Sequence, residues 1–120
     1  MYHPETQLIK IMDKDYLPVK SRLAWFRSLF PHATIDTKLV TLNMDVEYTE
    51  PVWINKKKVM RTACGIAVFH TVIRDGRGGV ATGTKSEKAA SFDDFVEKAE
   101  SGSIGRALAA LGYGTQFACV

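Results

Sequence analysis

The stretch VMRTACGIAVFHTVI, Val59–Ile73, decides the fold of this chain. Gly65 is the one residue in it that disfavours regular structure, and β-branched residues recur through the rest. We predict one long β-strand here, long enough to bend at Gly65, where the missing side chain lets the backbone turn. A sheet is therefore the organising element of the fold.

Two further strands are predicted on either side of this one. Asp75–Gly79 has the aspartate and glycines of a tight turn, after which Val80–Lys85 returns as a strand. Before it, Ala33–Met44 is rich in β-branched residues and follows a loose alternation of apolar and polar side chains. Asp45–Asn55 contains a proline and is predicted as a long hairpin connection, although Val52-Trp53-Ile54 within it favours a strand. We expect three antiparallel strands in sequence order.

A helix is predicted before the strands. Pro18 lies at its start, where a proline needs no hydrogen-bonded N–H. Apolar residues then recur at helical spacing from Val19 to Phe30, and Pro31 ends the run. We expect this helix to face the core, with its aromatic residues used for packing.

A second, longer helix is predicted after the strands, from Phe95 to the glycines at 112 and 114. Ser91 is its predicted N-cap, with Asp94 as the acid of a capping box. Gly102 and Gly105 each disfavour a helix by about 1 kcal/mol relative to alanine, so something outside the helix must hold it. Two roles stay open for these small residues, which are close packing on the sheet and contact with a ligand.

The fold class that follows is α+β, with a three-stranded antiparallel sheet, an N-terminal helix and a long helix packed on the sheet. A chain of 120 residues, 46% of them hydrophobic, can bury one core, so we expect a single domain over residues 1–120. No apolar run approaches the roughly 20 residues of a membrane helix, and no secretory leader begins the chain. We therefore expect a cytoplasmic protein without a membrane partner.

The net charge of +3 is modest, but the basic residues cluster and predict one positively charged surface. The alternative is that the lysine triplet only keeps a hairpin loop soluble. Arg106 cannot lie unpaired in a core, so it either meets an acidic residue or points into a cleft. The clustered residues are Lys56, Lys57, Lys58, Arg61, Arg74, Arg77, Lys85 and Lys88.

No catalytic or metal-binding motif is expected to operate in this chain. The three histidines have no metal-ligand spacing, and neither cysteine belongs to a zinc or disulfide pattern. The acids Asp93 and Asp94 suit the first turn of a helix, and Gly76–Gly79 lacks the lysine of a phosphate loop. A magnesium site of Asp36, Asp45 and Glu47 would need folding to bring them together. The histidines are His3, His32 and His70, and the cysteines are Cys64 and Cys119.

Three motifs carry a resemblance to a known family. They are Lys85-Ser-Glu after the third strand, the helix motif EKAESGSIGRALAALGYG at Glu97–Gly114, and LPVKSRLAWFR at Leu17–Arg27. With the β-β-β-α order, they resemble the Rad fifty-two superfamily of single-strand annealing proteins. Within it, they are most similar to the group of bacterial DNA damage response protein A and related phage recombination proteins. The likeness spans about residues 15–118.

The resemblance implies a non-catalytic, bacterial or phage-encoded protein that acts with DNA in the nucleoid. Such a protein forms a ring-shaped homo-oligomer, holds single-stranded DNA in a basic groove and promotes annealing or protects DNA ends, with no nucleotide or metal cofactor. A host or phage single-strand-binding protein is a further partner that the resemblance suggests. An RNA-binding module, an oligomeric scaffold and a metal-dependent nuclease stay as alternatives.

The resemblance also assigns DNA contacts. Arg22 and Arg106 match an inner groove, while Arg74 and Lys85 match an outer set of contacts. Gly105 stands where eukaryotic members carry more basic residues, which implies a weaker grip or a closer approach of DNA to the backbone. Further candidate DNA contacts are Lys56, Lys57, Lys58, Arg61 and Arg77.

Overall fold

The computed structural model describes residues 9–11, 14–16 and 18–113, and His3, Leu17, Gly114 and Cys119 of the sequence analysis lie outside them. The α+β class is confirmed, with a three-stranded antiparallel sheet and two helices. A two-stranded antiparallel sheet near the N-terminus, β1–β2, was not predicted from the sequence. The elements are β1 (Ile9–Ile11), β2 (Lys14–Tyr16), α1 (Val19–Leu29), β3 (Thr34–Ile54), β4 (Lys57–Arg74), β5 (Val80–Lys88) and α2 (Phe95–Ala110).

The long connection predicted between the first two strands is wrong, because β3 runs on to Ile54. Pro51, opposite Met60, is tolerated because β3 is an outer strand of the sheet. The edge of β3 that faces away from β4 has no strand partner, so the missing N–H of a proline breaks no hydrogen bond there. The turn is reduced to Asn55 and Lys56, which both have positive φ, at 49° and 65°. This is the backbone geometry of a two-residue hairpin that matches strand twist.

The bend predicted in β4 coincides with an irregularity in the pairing. The register shifts between Asn43 and Glu47 of β3, opposite Gly65, which has φ of +141°. A Cβ on residue 65 would also lie 3.0 Å from the Phe95 ring. Gly65 thus serves both the backbone conformation and the close approach of the segment leading into α2.

The predicted ends of α1 are confirmed, and those of α2 in part. Pro18 precedes α1, which ends one residue before Phe30. The N-cap position of α2 is Asp94 rather than Ser91, and no side chain donates or accepts a capping hydrogen bond there; Ser91 lies in a separate turn, in which its N–H donates to Lys88 O. At the other end, Gly112 (φ +100°) donates to Ala109 O while Tyr113 donates to Leu108 O. This pair of bonds is a Schellman motif.

Both helices lie on one face of the β3–β4–β5 sheet. Alternate residues of β4 from Ala67 to Ile73 are buried there, and those between them are more exposed. One core cluster joins α1, α2 and β4 around Phe26, Ile73 and Leu108. A second joins the sheet to the start of α2 around Phe69 and Phe95. The opposite face of the sheet is left uncovered by any helix of residues 18–113.

Neither helix in the described part of the chain combines the length and the apolar character needed to cross a bilayer.

Candidate functional site

A cleft of about 170 Å³ opens where α1, β5 and α2 meet. Three basic side chains from these three elements reach it, and small or apolar residues form the rest of its wall. The lining residues are Val19, Arg22, Lys85, Gly102, Gly105, Arg106 and Ala109. The cleft therefore brings together cations that are far apart in the sequence.

Arg22 forms the base of the cleft. It is 2% exposed, and its Nη1 donates a long hydrogen bond of 3.5 Å to Gly105 O. A Cβ on residue 105 would lie 2.8 Å from Val19 Cγ2 and 3.5 Å from Arg22 Nη1. The glycine thus lets α1 cross α2 closely and brings the guanidinium against the backbone of α2.

Lys85 lies along α2 at the side of the cleft. Its aliphatic stem packs on Gly102, where an added Cβ would lie 2.6 Å from Lys85 Cγ. Its Nζ is 3.3 Å from Glu87 Oε1, an ion pair between residues on one face of β5. The stem is therefore held by packing, while the ammonium group stays partly exposed.

Arg106 is the exposed cation of the cleft. Of the two outcomes open for it, the structure gives the cleft, since no ion pair joins it to an acid among residues 18–113. A guanidinium offers a planar set of donors that matches two phosphate oxygens. Arg106 is thus the side chain best placed to meet an anion entering from solvent.

The small residues of α2 lie in two different environments. Ala99 and Ser103 are fully buried toward the sheet, whereas Gly102 and Gly105 line the cleft. Ser103 Oγ donates to Glu100 O at 2.7 Å and lies 2.7 Å from Thr71 Oγ1. The serine is therefore compatible with a buried helix face because its hydroxyl is hydrogen-bonded on both sides.

The grouping of the outer contacts differs from the one that the resemblance implied. Lys85 lies in the cleft with Arg22 and Arg106, while Arg74 is on the uncovered face of the sheet. Arg74 lines a second depression there, of about 200 Å³, with Lys38, Asp36, His70 and Val72. Strand alternation puts Arg74 and Lys85 on opposite faces, since Arg74 pairs with exposed Val80 and Lys85 with buried Phe69. Sequence reasoning missed Lys38 and His70, which alternation in β3 and β4 places on the face of Arg74.

The other predicted cations lie outside the cleft. Arg61 forms an ion pair with Asp93, and the Arg77 guanidinium lies over the Phe30 ring, 5.5 Å from its centroid. Lys88 Nζ donates to Glu50 Oε1 at 2.8 Å, and this hydrogen bond raises the pKa of Lys88. Lys56, Lys57 and Lys58 are exposed at the far end of the β3–β4 hairpin. The basic residues therefore form several patches, of which the cleft is one.

The aromatic residues of α1 and of its C-cap, Phe30, pack as predicted. Tyr113 lies among three of them, with ring centroids 5.1 Å from Trp25, 5.2 Å from Phe26 and 6.2 Å from Phe30. Burial, together with the nearby charge of Asp75, raises the pKa of Tyr113. Tyr113 is thus engaged in packing, whereas Trp53 is 72% exposed.

Within the described residues, no group of three or more His, Cys, Asp or Glu side chains is arranged to hold a metal ion. No family model, curated protein or solved structure matches the chain.

Proposed function

We propose that this protein binds single-stranded DNA through the cleft of Arg22, Lys85 and Arg106, and promotes annealing of complementary strands or protects DNA ends in repair and recombination. The observation that carries the proposal is the convergence of these three cations at one cleft. Phosphate contacts of this kind grip the backbone and leave base edges free, which strand pairing requires.

The small residues of the cleft wall serve to bring the cations together. Gly102 is covered by the stem of Lys85 and Gly105 by Val19, so a strand would meet the cations at the mouth of the cleft rather than the backbone of α2. Arg106 reaches the ligand from the exposed side, while buried Arg22 adds positive potential from below. Neither DNA binding nor strand annealing in this proposal needs ATP or a metal ion, and the proposed activity is non-catalytic.

The proposed assembly is a ring-shaped homo-oligomer, in which neighbouring clefts join into one groove. The outer strands β3 and β5 each have an edge without a strand partner among the described residues. Apolar side chains of β3, such as Leu39, Val40 and Leu42, are about half exposed. Head-to-tail contact would cover both edges and these side chains, and closure of such contacts gives a ring.

Fluorescence anisotropy with labelled oligonucleotides tests the ligand. We expect the protein to bind single-stranded DNA more tightly than duplex DNA, with an affinity that falls steeply as salt rises. It should also accelerate annealing of complementary strands in the presence of EDTA and without ATP, and show closed rings by negative-stain microscopy. A stronger preference for single-stranded RNA, or metal-dependent cleavage of the oligonucleotide, would overturn the proposal in favour of those alternatives.

A further inference from the structure

The β3–β4 hairpin extends well past the end of β5. The last β5 residue, Lys88, pairs with Ile66, and beyond it only Glu47–Ile54 and Lys57–Cys64 pair with each other. We call this two-stranded segment the ribbon. A two-stranded hairpin has little stability of its own in water. The side chains that the ribbon exposes therefore indicate which kind of partner it binds.

One face of the ribbon carries an exposed tryptophan. The register puts Trp53 opposite Lys58 and Pro51 opposite Met60, and alternation places these four side chains on the same face. Trp53 is 72% exposed, and Met60 is 58% exposed. A large aromatic ring is thus presented to solvent with a lysine directly across from it.

The other face of the ribbon is turned toward the helix layer. Arg61, which lies on that face, forms an ion pair with Asp93 just before α2. Glu50, opposite Arg61 in the register, accepts a hydrogen bond from Lys88. These two contacts fix the ribbon to the body of the domain and direct Trp53 away from it.

The charge of the ribbon end is entirely positive. Residues 51–62 contain Lys56, Lys57, Lys58 and Arg61 and no acidic residue. The cores of protein interfaces are depleted in lysine, so a second copy of the chain is a poor match for this surface. An exposed aromatic ring among cations is instead the composition of a stacking platform for unpaired bases.

We infer that the ribbon end is a second contact for single-stranded DNA, in which Trp53 stacks on a base while Lys56, Lys57 and Lys58 bind the adjacent phosphates. This inference rests on the proposed ligand but not on the cleft. Lys58, opposite Trp53, is 11 residues along β4 from Phe69, opposite Lys85. At about 3.3 Å per strand residue, the two contacts are roughly 36 Å apart along the strand, so they meet different nucleotides.

Tryptophan fluorescence tests this contact directly. The chain has two tryptophans, so Trp25→Phe leaves Trp53 as the only one and keeps an aromatic ring beside Tyr113. We expect oligothymidylate to quench Trp53, and an abasic oligonucleotide with the same number of phosphates to bind without quenching. Stacking on bases, rather than charge alone, is the cause of that difference.

Affinity measurements provide the matched comparison. Trp53→Ala should weaken binding of oligothymidylate by about tenfold, and Trp53→Phe should keep most of the affinity. Arg106→Ala in the Trp25→Phe background should lower affinity but leave the quenching at saturation unchanged, because it alters the other contact.

Several results would overturn the inference. Equal quenching by the abasic oligonucleotide would mean that Trp53 does not stack on bases. Loss of the oligomer in Trp53→Ala, measured by sedimentation, would assign the ribbon to a second copy. A blue shift of Trp53 on anionic vesicles without quenching by DNA would assign it to a lipid surface. If the unsubstituted protein binds no single-stranded DNA, the proposed function fails as well. If it binds DNA without any change in Trp53 fluorescence, only the ribbon contact is excluded.

Discussion

Gly83 of β5 lies directly beneath α2 at Ala107. A Cβ on residue 83 would lie 2.5 Å from the Ala107 nitrogen and 2.9 Å from Arg106 Cβ. These atoms belong to the backbone or to the root of a side chain, so they cannot move aside separately from the helix. The position of α2, and with it the direction of Arg106, therefore depends on the absence of a side chain at residue 83.

Gly83→Ala should destabilise the fold because α2 must shift away from the sheet. Overpacking of this kind costs typically about 1–3 kcal/mol, whereas alanine in a strand without such a contact is slightly favourable relative to glycine. Urea denaturation followed by circular dichroism measures the change. Thr82→Ala is the control, since Thr82 is exposed on the other face and should change the unfolding free energy little. Equal stability of the Gly83→Ala and unsubstituted proteins would contradict the close approach of α2.

Gly102→Ala should separate stability from binding. Alanine favours the helix by about 1 kcal/mol, but its Cβ would lie 2.6 Å from Lys85 Cγ and 3.3 Å from Lys85 Cβ, so the lysine must change its rotamer. We expect these two effects on the unfolding free energy to offset each other, while displacement of Lys85 from the cleft weakens binding of single-stranded DNA. Denaturation and anisotropy on the same sample measure the two effects.

Ser101→Ala is the matched control for Gly102→Ala, because Ser101 is an exposed residue of the same helix. It should leave both binding and stability nearly unchanged. An unchanged affinity in Gly102→Ala would show that the Lys85 position against α2 does not matter for the ligand.

Much of the fold could be predicted, because strand periodicity, turn glycines and helix-ending prolines are local signals. β4 and the limits of α1 follow from them. The length of β3 could not be predicted from local signals. The effect of Pro51 depends on whether its strand lies at an edge of the sheet, and only the assembled sheet determines this. The start of α2 was misplaced for a similar reason, since Ser91 belongs to the turn that leaves β5 and the helix begins only after Asp94.

The grouping of the candidate site residues could be predicted only in part. Arg22 and Arg106 were expected together and are together in the cleft. Lys85 was expected with Arg74, but the face that each takes depends on the β4–β5 register, and a shift by one residue reverses it. Long-range placement of this kind is not encoded in the spacing of the basic residues.

A chain of three hydroxyls links the sheet to α2. Ser103 donates to Glu100 O, so its oxygen is left to accept from Thr71, 2.7 Å away, and Thr71 in turn accepts from Thr37 at 3.0 Å. We expect Thr71→Val and Ser103→Ala each to cost about 1 kcal/mol. In a double-mutant cycle the two changes should be non-additive by roughly 0.5 kcal/mol or more.

The exposed hydroxyl pair of Thr49 and Thr62, 2.8 Å apart, is the control for that cycle, since water can replace each partner there. Its coupling should be close to zero. Additive effects of Thr71→Val and Ser103→Ala would mean that the hydrogen bond between the two side chains contributes no coupling free energy to stability.

Arg106→Ala and Arg22→Ala should differ in what they damage. Arg106 is exposed, so its removal should leave the unfolding free energy within about 0.5 kcal/mol of the unsubstituted value. Binding of single-stranded DNA should weaken, and the slope of log affinity against log salt should fall by roughly 1, as expected for one lost phosphate contact.

Arg22, at 2% exposure and bonded to Gly105 O, packs between the helices. Its loss leaves a void there, so Arg22→Ala should lower stability as well as affinity. Lys38→Ala, on the uncovered face, is the charge-matched control for single-strand binding and should lower affinity less than Arg106→Ala. If Lys38→Ala lowers the affinity for single-stranded DNA as much as Arg106→Ala does, binding depends on the total charge of the protein. The cleft is then not the DNA-binding site.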